Sequence, residues 1–137
     1  MQKLINSVLG LFWAIVLMFS PSLALGDDAV RHLELEEVTS FEVAEDIFSA
    51  DTERLKAISE LNPATLHDIH FITYSLETAV AFFVNNSHSE ESAYYQELAE
   101  VVEEIHIASE NGRAEETRDH LDRYFAMAEA REPSWVD

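Results

Sequence analysis

The spacing of apolar residues constrains this chain more than any other feature. From residue 40 to residue 131, apolar residues recur at intervals of three and four, the period of an α-helix, and no segment alternates as a half-buried strand would. Asn62-Pro63, Asn85-Asn86 and Asn111-Gly112 interrupt this period. Because the connections are only a few residues long, neighbouring helices must run antiparallel. The sequence therefore predicts an all-α fold, a small antiparallel bundle of three to four helices in up-down order.

Capping residues place the ends of the predicted helices. A capping box, a hydroxyl followed three residues later by a carboxylate, occurs at Thr39–Glu42 and again at Ser87–Glu90. Asn62 suits the N-cap and Pro63 the first helical turn, while Gly112 supplies a left-handed stop. We expect helices at about residues 40–61 (weakened near Ser49–Asp51), from Pro63 to about Asn85, at 89–110 and at 114–131.

The second predicted helix is apolar over more than one stripe. Besides the residues with helical spacing, its flank carries Phe71, Ile72 and Phe82. Such a helix is central in its bundle or shared with another chain. We therefore expect either a tight four-helix core around it, or an interface through it with an unknown protein partner or in a homodimer.

The first 26 residues predict a cleaved signal peptide. Lys3 is the only charge before Asp27, residues 8–19 are an apolar run, and small residues follow at Ala24 and Gly26. The run is shorter than the roughly 20 residues of a membrane span. We expect cleavage after Gly26, with Ala24 as the second choice and an uncleaved anchor as the alternative. The remaining regions are an acidic, poorly ordered lead-in at residues 27–39, the helical bundle at 40–131 and a tail at 132–137. The expected location is periplasmic or secreted.

Charge and cysteine content exclude several functions. The formal net charge is −19, and the chain contains no cysteine. An acidic surface repels nucleic acid and anionic lipid, and it favours cationic partners or simple solubility. Without cysteine there is no disulfide, no thiolate chemistry and no covalently attached haem, so packing alone must hold the core. We expect no nucleic-acid partner and no stable membrane insertion after signal cleavage.

Histidines collect at one end of the predicted bundle. The connection between the second and third helices centres on residue 88, so His70 and His106 lie at the same height on adjacent helices. His67 shares a helix face with His70, and Glu103 shares one with His106. The next connection brings His120 close to the same height.

This cluster has two interpretations. Imidazoles with a carboxylate suit Zn²⁺ or Cu²⁺, and helical bundles hold such sites between facing helices. The candidate metal ligands are His70, His106 and Glu103, with His67 and His120 supplementary. A second Glu-x-x-His is absent, which argues against a di-iron centre, and non-covalent haem between the two histidines is a further alternative. The competing interpretation is a buried polar cluster that fixes the helix register through Tyr74, Glu77, Ser109 and Glu110.

Two segments resemble a family of short exported bacterial proteins classed only as a domain of unknown function. They are Asp68–Glu77, with the form I-H-x-x-T-Y-x-L-E, and Glu103–Glu110, with the form E-x-H-x-A-S-E. The likeness covers roughly residues 62–125. It implies an exported helical bundle of the bacterial envelope and singles out His70, Tyr74, Glu77, His106 and Glu110. It brings no activity, cofactor or catalytic residue.

The expected function is that of a non-enzymatic binding or interaction module. The chain shows no complete set of nucleophile, base and oxyanion stabiliser; Ser109 lies one turn from His106, but no oxyanion loop accompanies the pair. The alternative is a periplasmic transition-metal-binding protein that uses His70, His106 and Glu103.

Overall fold

The computed structural model describes residues 37–131, which form four helices and no strand. The helices are α1 (Phe41–Lys56), α2 (Pro63–Asn86), α3 (Ser89–Glu110) and α4 (Ala114–Ala130). The predicted all-α fold is confirmed, and of the three to four helices expected the structure has four. The predicted signal peptide, most of the acidic lead-in and the tail lie outside the described residues.

Each helix packs against the next one along the chain, and contacting residues run in opposite directions. The ring centroids of Phe41 on α1 and Phe82 on α2 are 5.3 Å apart. Later in α1, Asp51 accepts a hydrogen bond from Ser75, which lies earlier in α2. Side chains also join α4 to α1, since Tyr124 contacts Phe48 at 6.0 Å between ring centroids. Neighbouring helices are therefore antiparallel around the whole bundle.

The core consists of the apolar residues that the helical period selects. Along α2 and α3, the residues that recur at intervals of three and four are buried, and so are Ala44, Phe48 and Leu55 of α1. The buried residues of α2 and α3 are Leu66, Ile69, Ile72, Thr73, Leu76, Ala79, Val80, Phe83, Tyr95, Leu98, Val101, Val102, Ile105, Ala108 and Ser109. The second stripe of α2 is explained by its position, because α2 packs against both α1 and α3.

The first helix ends at Lys56, earlier than the expected residue 61. A residue before proline is pushed away from helical dihedral angles, and Asn62 is extended, with φ −128° and ψ 172°. Residues 57–62 therefore form the connection to α2, although Ile58 and Leu61 still pack against the core. The helix continues through Ser49–Asp51 without interruption.

The helix caps agree with the sequence at two places and differ at two. The Asn62 side chain accepts from the backbone N–H groups of Ala64 and Thr65, at 3.0 and 3.1 Å, and Gly112 adopts a φ of 69°. Ser40, one residue after Thr39, caps α1. The second predicted capping box is wrong, because Ser87 closes α2 and α3 starts without a side-chain cap bond.

A polar layer inside the bundle joins α1 to both of its neighbours. Asp51 is only 4% exposed, and it accepts from Ser75 of α2 and from Arg54 at 2.8 Å. The hydroxyl of Thr52 donates to the Phe48 carbonyl oxygen at 2.6 Å, so the same oxygen accepts from Tyr124 at 2.5 Å. Burial raises the pKa of Tyr124 far above its ordinary value, which keeps this phenol protonated as the donor.

None of the helices in residues 37–131 combines the length and the apolar character needed to cross a membrane.

We expect Tyr124→Phe to lower the free energy of unfolding by about 1 kcal/mol, because it removes the bond that Thr52 accepts. Urea unfolding of Tyr124→Phe, Thr52→Val and the double variant measures this. The two single changes should not be additive, since both remove the same bond. Strict additivity would contradict the assigned hydrogen bond.

Candidate functional site

A cleft opens where α2 begins and α3 ends. Its volume is about 510 Å³, and its walls come from α2, α3 and the two connections at this end of the bundle. We call it the histidine cleft, and it is lined by Leu61, Asn62, Pro63, Leu66, His67, His70, Phe71, Ser109, Glu110, Gly112 and Ala114. The lining combines apolar side chains with a few polar ones, the composition typical of small-molecule sites.

His70 of α2 meets His106 of α3 beside this cleft. Their ring centroids are 4.6 Å apart, with the planes at 74°. The antiparallel register about residue 88 therefore places the two imidazoles where sequence symmetry predicted them. Tyr74 lies against both rings, at 5.0 Å between centroids in each case.

The hydrogen bonds of Thr73 determine which nitrogen of His106 carries a proton. Thr73 uses its hydroxyl hydrogen on the carbonyl oxygen of His70, at 2.7 Å, so its oxygen can only accept from Nδ1 of His106, at 3.1 Å. The Glu77 carboxylate also approaches Nδ1, at 2.8 Å. Nδ1 of His106 is therefore the protonated nitrogen, and the unprotonated position of the neutral ring is Nε2.

His70 is held in its neutral form. Its Nε2 lies 3.2 Å from the Tyr74 hydroxyl. Burial lowers the pKa of His70 below 6.5, and the neighbouring His106 and His67 act in the same direction, while Glu110 opposes them. A neutral imidazole is the form that accepts hydrogen bonds and binds metal ions.

The pKa of Glu77 is shifted in the opposite direction from that of His70. Burial raises the pKa of its carboxyl above 4.5; His106 opposes this, and the charge of Glu103 adds to it. The α2–α3 interface thus holds an imidazole and a carboxyl whose charged forms are both penalised.

The remaining predicted residues lie around this pair. His67 lines the cleft beside Phe71, with ring centroids 4.6 Å apart. Glu103 and Glu110 are exposed, so Glu110 belongs to the cleft wall and not to the polar core. Glu77, not Glu103, is the carboxylate that reaches His106.

His120 lies on the other side of α3. Its Nδ1 pairs with Glu104 at 3.2 Å. Glu104 and His106 are two residues apart, which corresponds to about 200° around a helix, so Glu104 faces α4 while His106 faces α2. His120 lies at the predicted height along the bundle, but it is on the side of α3 that faces α4, away from His70 and His106.

Within residues 37–131, no group of three or more histidine, aspartate and glutamate side chains is arranged to hold a metal ion. Ser109 is buried, and its hydroxyl donates to the carbonyl oxygen of His106 at 3.0 Å. This serine therefore supports the backbone beneath the cluster.

Neither Thr73 nor Ile107 is among the site residues predicted from the sequence. The hydroxyl of Thr73 orients His106. Phe71 and Ile107 are the exposed large apolar residues of the described chain, at 40% and 41%. Phe71 directly follows His70, and Ile107 directly follows His106. This pattern can be recognised in the sequence once the antiparallel register about residue 88 is known.

The fold and the cleft define a small all-α bundle with a histidine pair between its second and third helices. Residues 1–132 match the family model described as "Family of unknown function (DUF6746)", and the chain belongs to this family. No curated protein and no solved structure matches the chain. Family membership carries no assigned activity, so functional inference depends on the site.

The opposed pKa directions predict how stability depends on pH. The pKa of His70 is lower in the folded state than in the unfolded state, so its contribution is complete above pH 6.5 and is lost as pH falls below that value. Glu77 acts oppositely, because its raised pKa makes acidification toward pH 4.5 favour the folded state.

We therefore expect His70→Gln to reduce the loss of stability between about pH 7 and pH 5, measured by urea unfolding at each pH. His88→Gln is the matched control, since His88 is exposed at the opposite end of the bundle. An unchanged pH dependence in His70→Gln would contradict the assignment.

Proposed function

We propose that this protein is a non-enzymatic, exported, acidic binding module of the bacterial envelope, and that the histidine cleft and the adjoining surface of α2 and α3 are its binding site. The observation that carries the proposal is the cleft itself. A cavity of about 510 Å³ with mixed lining has the exposed side chain of Phe71 in its wall, and Ile107 of α3 is the other exposed large apolar side chain of the described residues. Concave, partly apolar surfaces of this kind are where ligands and partners bind.

The hydrogen-bonding of the polar groups supports binding over catalysis. The hydroxyl of Ser109 donates to a backbone carbonyl, and Nδ1 of His106 donates to Thr73 with the Glu77 carboxylate close by. A nucleophile needs a base within hydrogen-bonding reach and an oxyanion stabiliser nearby. These groups instead orient one another, which suits a rigid, preorganised recognition surface.

Export is proposed from the sequence. The basic start, the apolar run at residues 8–19 and the small residues before Asp27 support a signal peptide. The absence of cysteine removes any dependence on oxidative folding.

Site-directed photocrosslinking in the source bacterium tests this proposal. A benzophenone amino acid replaces Phe71, and the control replaces Ala126, which is exposed on α4. We expect a discrete adduct in the envelope fraction from position 71 but not from position 126, and an N-terminus at Asp27 in the recovered protein. No adduct, or equal adducts from both positions, would contradict the proposed site. An adduct at twice the mass of the chain would identify the partner as a second copy.

A second candidate function is transition-metal binding by His70 and His106, with Glu103 and His67 as further donors on neighbouring turns; His120 is left out, because it pairs with Glu104 on the side of α3 that faces α4. The observation that favours it is the adjacency of two imidazoles, one of which has a lowered pKa that favours the unprotonated, ligand-competent form. Zn²⁺ or Cu²⁺ would need further donors, because the described residues hold no preassembled set of three. A further donor, from a side chain that rearranges or from a molecule bound together with the metal ion, would complete the coordination.

Calorimetric titration of the untagged protein with Zn²⁺ and with Cu²⁺ tests this candidate. Binding by the proposed site should be near-stoichiometric and should disappear in His70→Ala and in His106→Ala separately. His88→Ala, at the opposite end of the bundle, should bind as the parent does. Equal loss in His88→Ala, or no heat of binding at all, would remove the metal candidate.

A further inference from the structure

We propose that the partner of this module is a basic amphipathic helical segment, which docks on the outer face of the α2–α3 pair. This inference rests on the proposed function and names the chemical class of the partner. The outer α2–α3 face is defined by His67, Phe71, Tyr74, Glu103, Ile107 and Glu110.

The geometry of the helix pair places these side chains on one face. His70 and His106 meet across the interface, and Phe71 and Ile107 each follow by one residue, about 100° further around their helices. Because α2 and α3 run antiparallel, equal rotations turn both side chains toward the same side of the pair. Ile69 and Ile105, one residue before each histidine, turn the other way and are completely buried.

Charge on this face has one sign. Neither α2 (residues 63–86) nor α3 (residues 89–110) contains a lysine or an arginine. Glu103 and Glu110 are exposed on the outer face, and neither forms an ion pair with another residue of the described chain. Histidines are thus the only side chains of these two helices that could become positively charged.

The ion pairs that lysine and arginine form among the described residues involve no side chain of the outer α2–α3 face. Arg54 and Lys56 pair within α1, with Asp51 and Glu53. Arg123 of α4 bridges to Glu97 and Glu104, the α3 acids that face α4. Arg123 thus offsets part of the acidic charge on the α4 side of α3, whereas Glu103 and Glu110 on the outer face have no arginine or lysine paired with them among the described residues.

The dimensions of the face favour a helix over a small molecule. From Glu103 to Glu110, α3 advances seven residues, about 10 Å, and the two apolar side chains project from separate helices. A helix laid in a groove supplies apolar anchors on one stripe and charges beside it. A basic amphipathic helix matches both features, with apolar side chains over Phe71 and Ile107 and lysine or arginine against the glutamates.

A second copy of this chain is the less suitable occupant. Two outer α2–α3 faces brought together would oppose glutamates with glutamates, and neither face carries a lysine or an arginine to offset them. Like charges brought together at an interface cost free energy. Charge complementarity therefore selects a basic partner.

Fluorescence anisotropy with a labelled synthetic helix tests the inference. The probe is a peptide of about four helical turns, built from leucine on one stripe and lysine elsewhere. Two comparison peptides replace lysine with glutamate or leucine with serine. We expect the full-length mature protein to bind the Leu/Lys peptide more tightly than either comparison peptide, with affinity falling as salt is added.

Variants locate the binding on the face. Phe71→Ser with Ile107→Ser should weaken binding about tenfold, equivalent to losing about 1.4 kcal/mol of apolar contact. Glu103→Gln with Glu110→Gln should weaken it about three- to tenfold, as expected for two exposed ion pairs. The charge-matched control is Asp119→Asn with Asp122→Asn, which removes two exposed carboxylates from α4 and should leave the affinity within about twofold.

Each alternative result overturns the inference. Equal loss in the α4 control would mean diffuse attraction to an acidic protein. No effect of the Phe71 and Ile107 changes, with helicity retained by circular dichroism, would remove the apolar anchors. A position-71 adduct in cells, combined with no binding of the Leu/Lys peptide, would keep the proposed function and reject this partner class.

Discussion

The two-residue connection between α2 and α3 is the constraint on which the structure depends. Ser87 and His88 are the only residues between these helices, so α2 and α3 must lie side by side and antiparallel. No disulfide assists this arrangement, since the chain contains no cysteine. The fixed register brings Phe83 against Tyr95 near the connection and His70 against His106 further along. The site is therefore a consequence of the same turn that organises the core.

Polar groups inside the bundle fix how neighbouring helices are aligned along their lengths. Apolar helices can slide past one another at modest cost, but a buried hydroxyl or carboxylate must meet its partner. Thr52 with Tyr124 marks the α1–α4 contact, and Thr73 with His106 marks the α2–α3 contact. At the far end, the Arg131 guanidinium lies 4.6 Å from the Phe48 ring centroid and pairs with Glu45, which ties the end of α4 to α1. Burial lowers the pKa of Arg131 to about 10, so this cation stays charged at neutral pH.

The distribution of charge connects the fold to the proposed binding role. A net charge of −19 spread evenly would describe only a repulsive surface. Among residues 37–131, lysine and arginine occur only on α1, on α4 and at the two residues that flank α4, so the charged side chains of α2 and α3 are acidic apart from their histidines. The α2–α3 side also carries Phe71 and Ile107, which leaves apolar and acidic groups together on the proposed binding face.

Helical period, Asn62-Pro63 and Asn111-Gly112 were enough to predict four helices and most of their ends, because these signals act within a few residues. The first helix was predicted too long, and the second capping box was wrong, since both depend on how the chain reverses between packed helices. The heights of His70, His106 and His120 followed from loop symmetry, which counts residues along antiparallel helices. Loop symmetry does not determine which face of a helix a residue lies on. For this reason the prediction places His120 in a cluster that it does not join.

The sequence by itself determined the all-α class and the level at which His70 and His106 meet, because short connections and a 3.6-residue period leave few arrangements. Only the tertiary structure decided that Glu77 reaches His106, that Thr73 orients the ring, and that Phe71 and Ile107 share one exposed face. Those outcomes depend on the rotation of each helix about its own axis. That rotation is set by the packing of all four helices at once, and no local sequence signal encodes it.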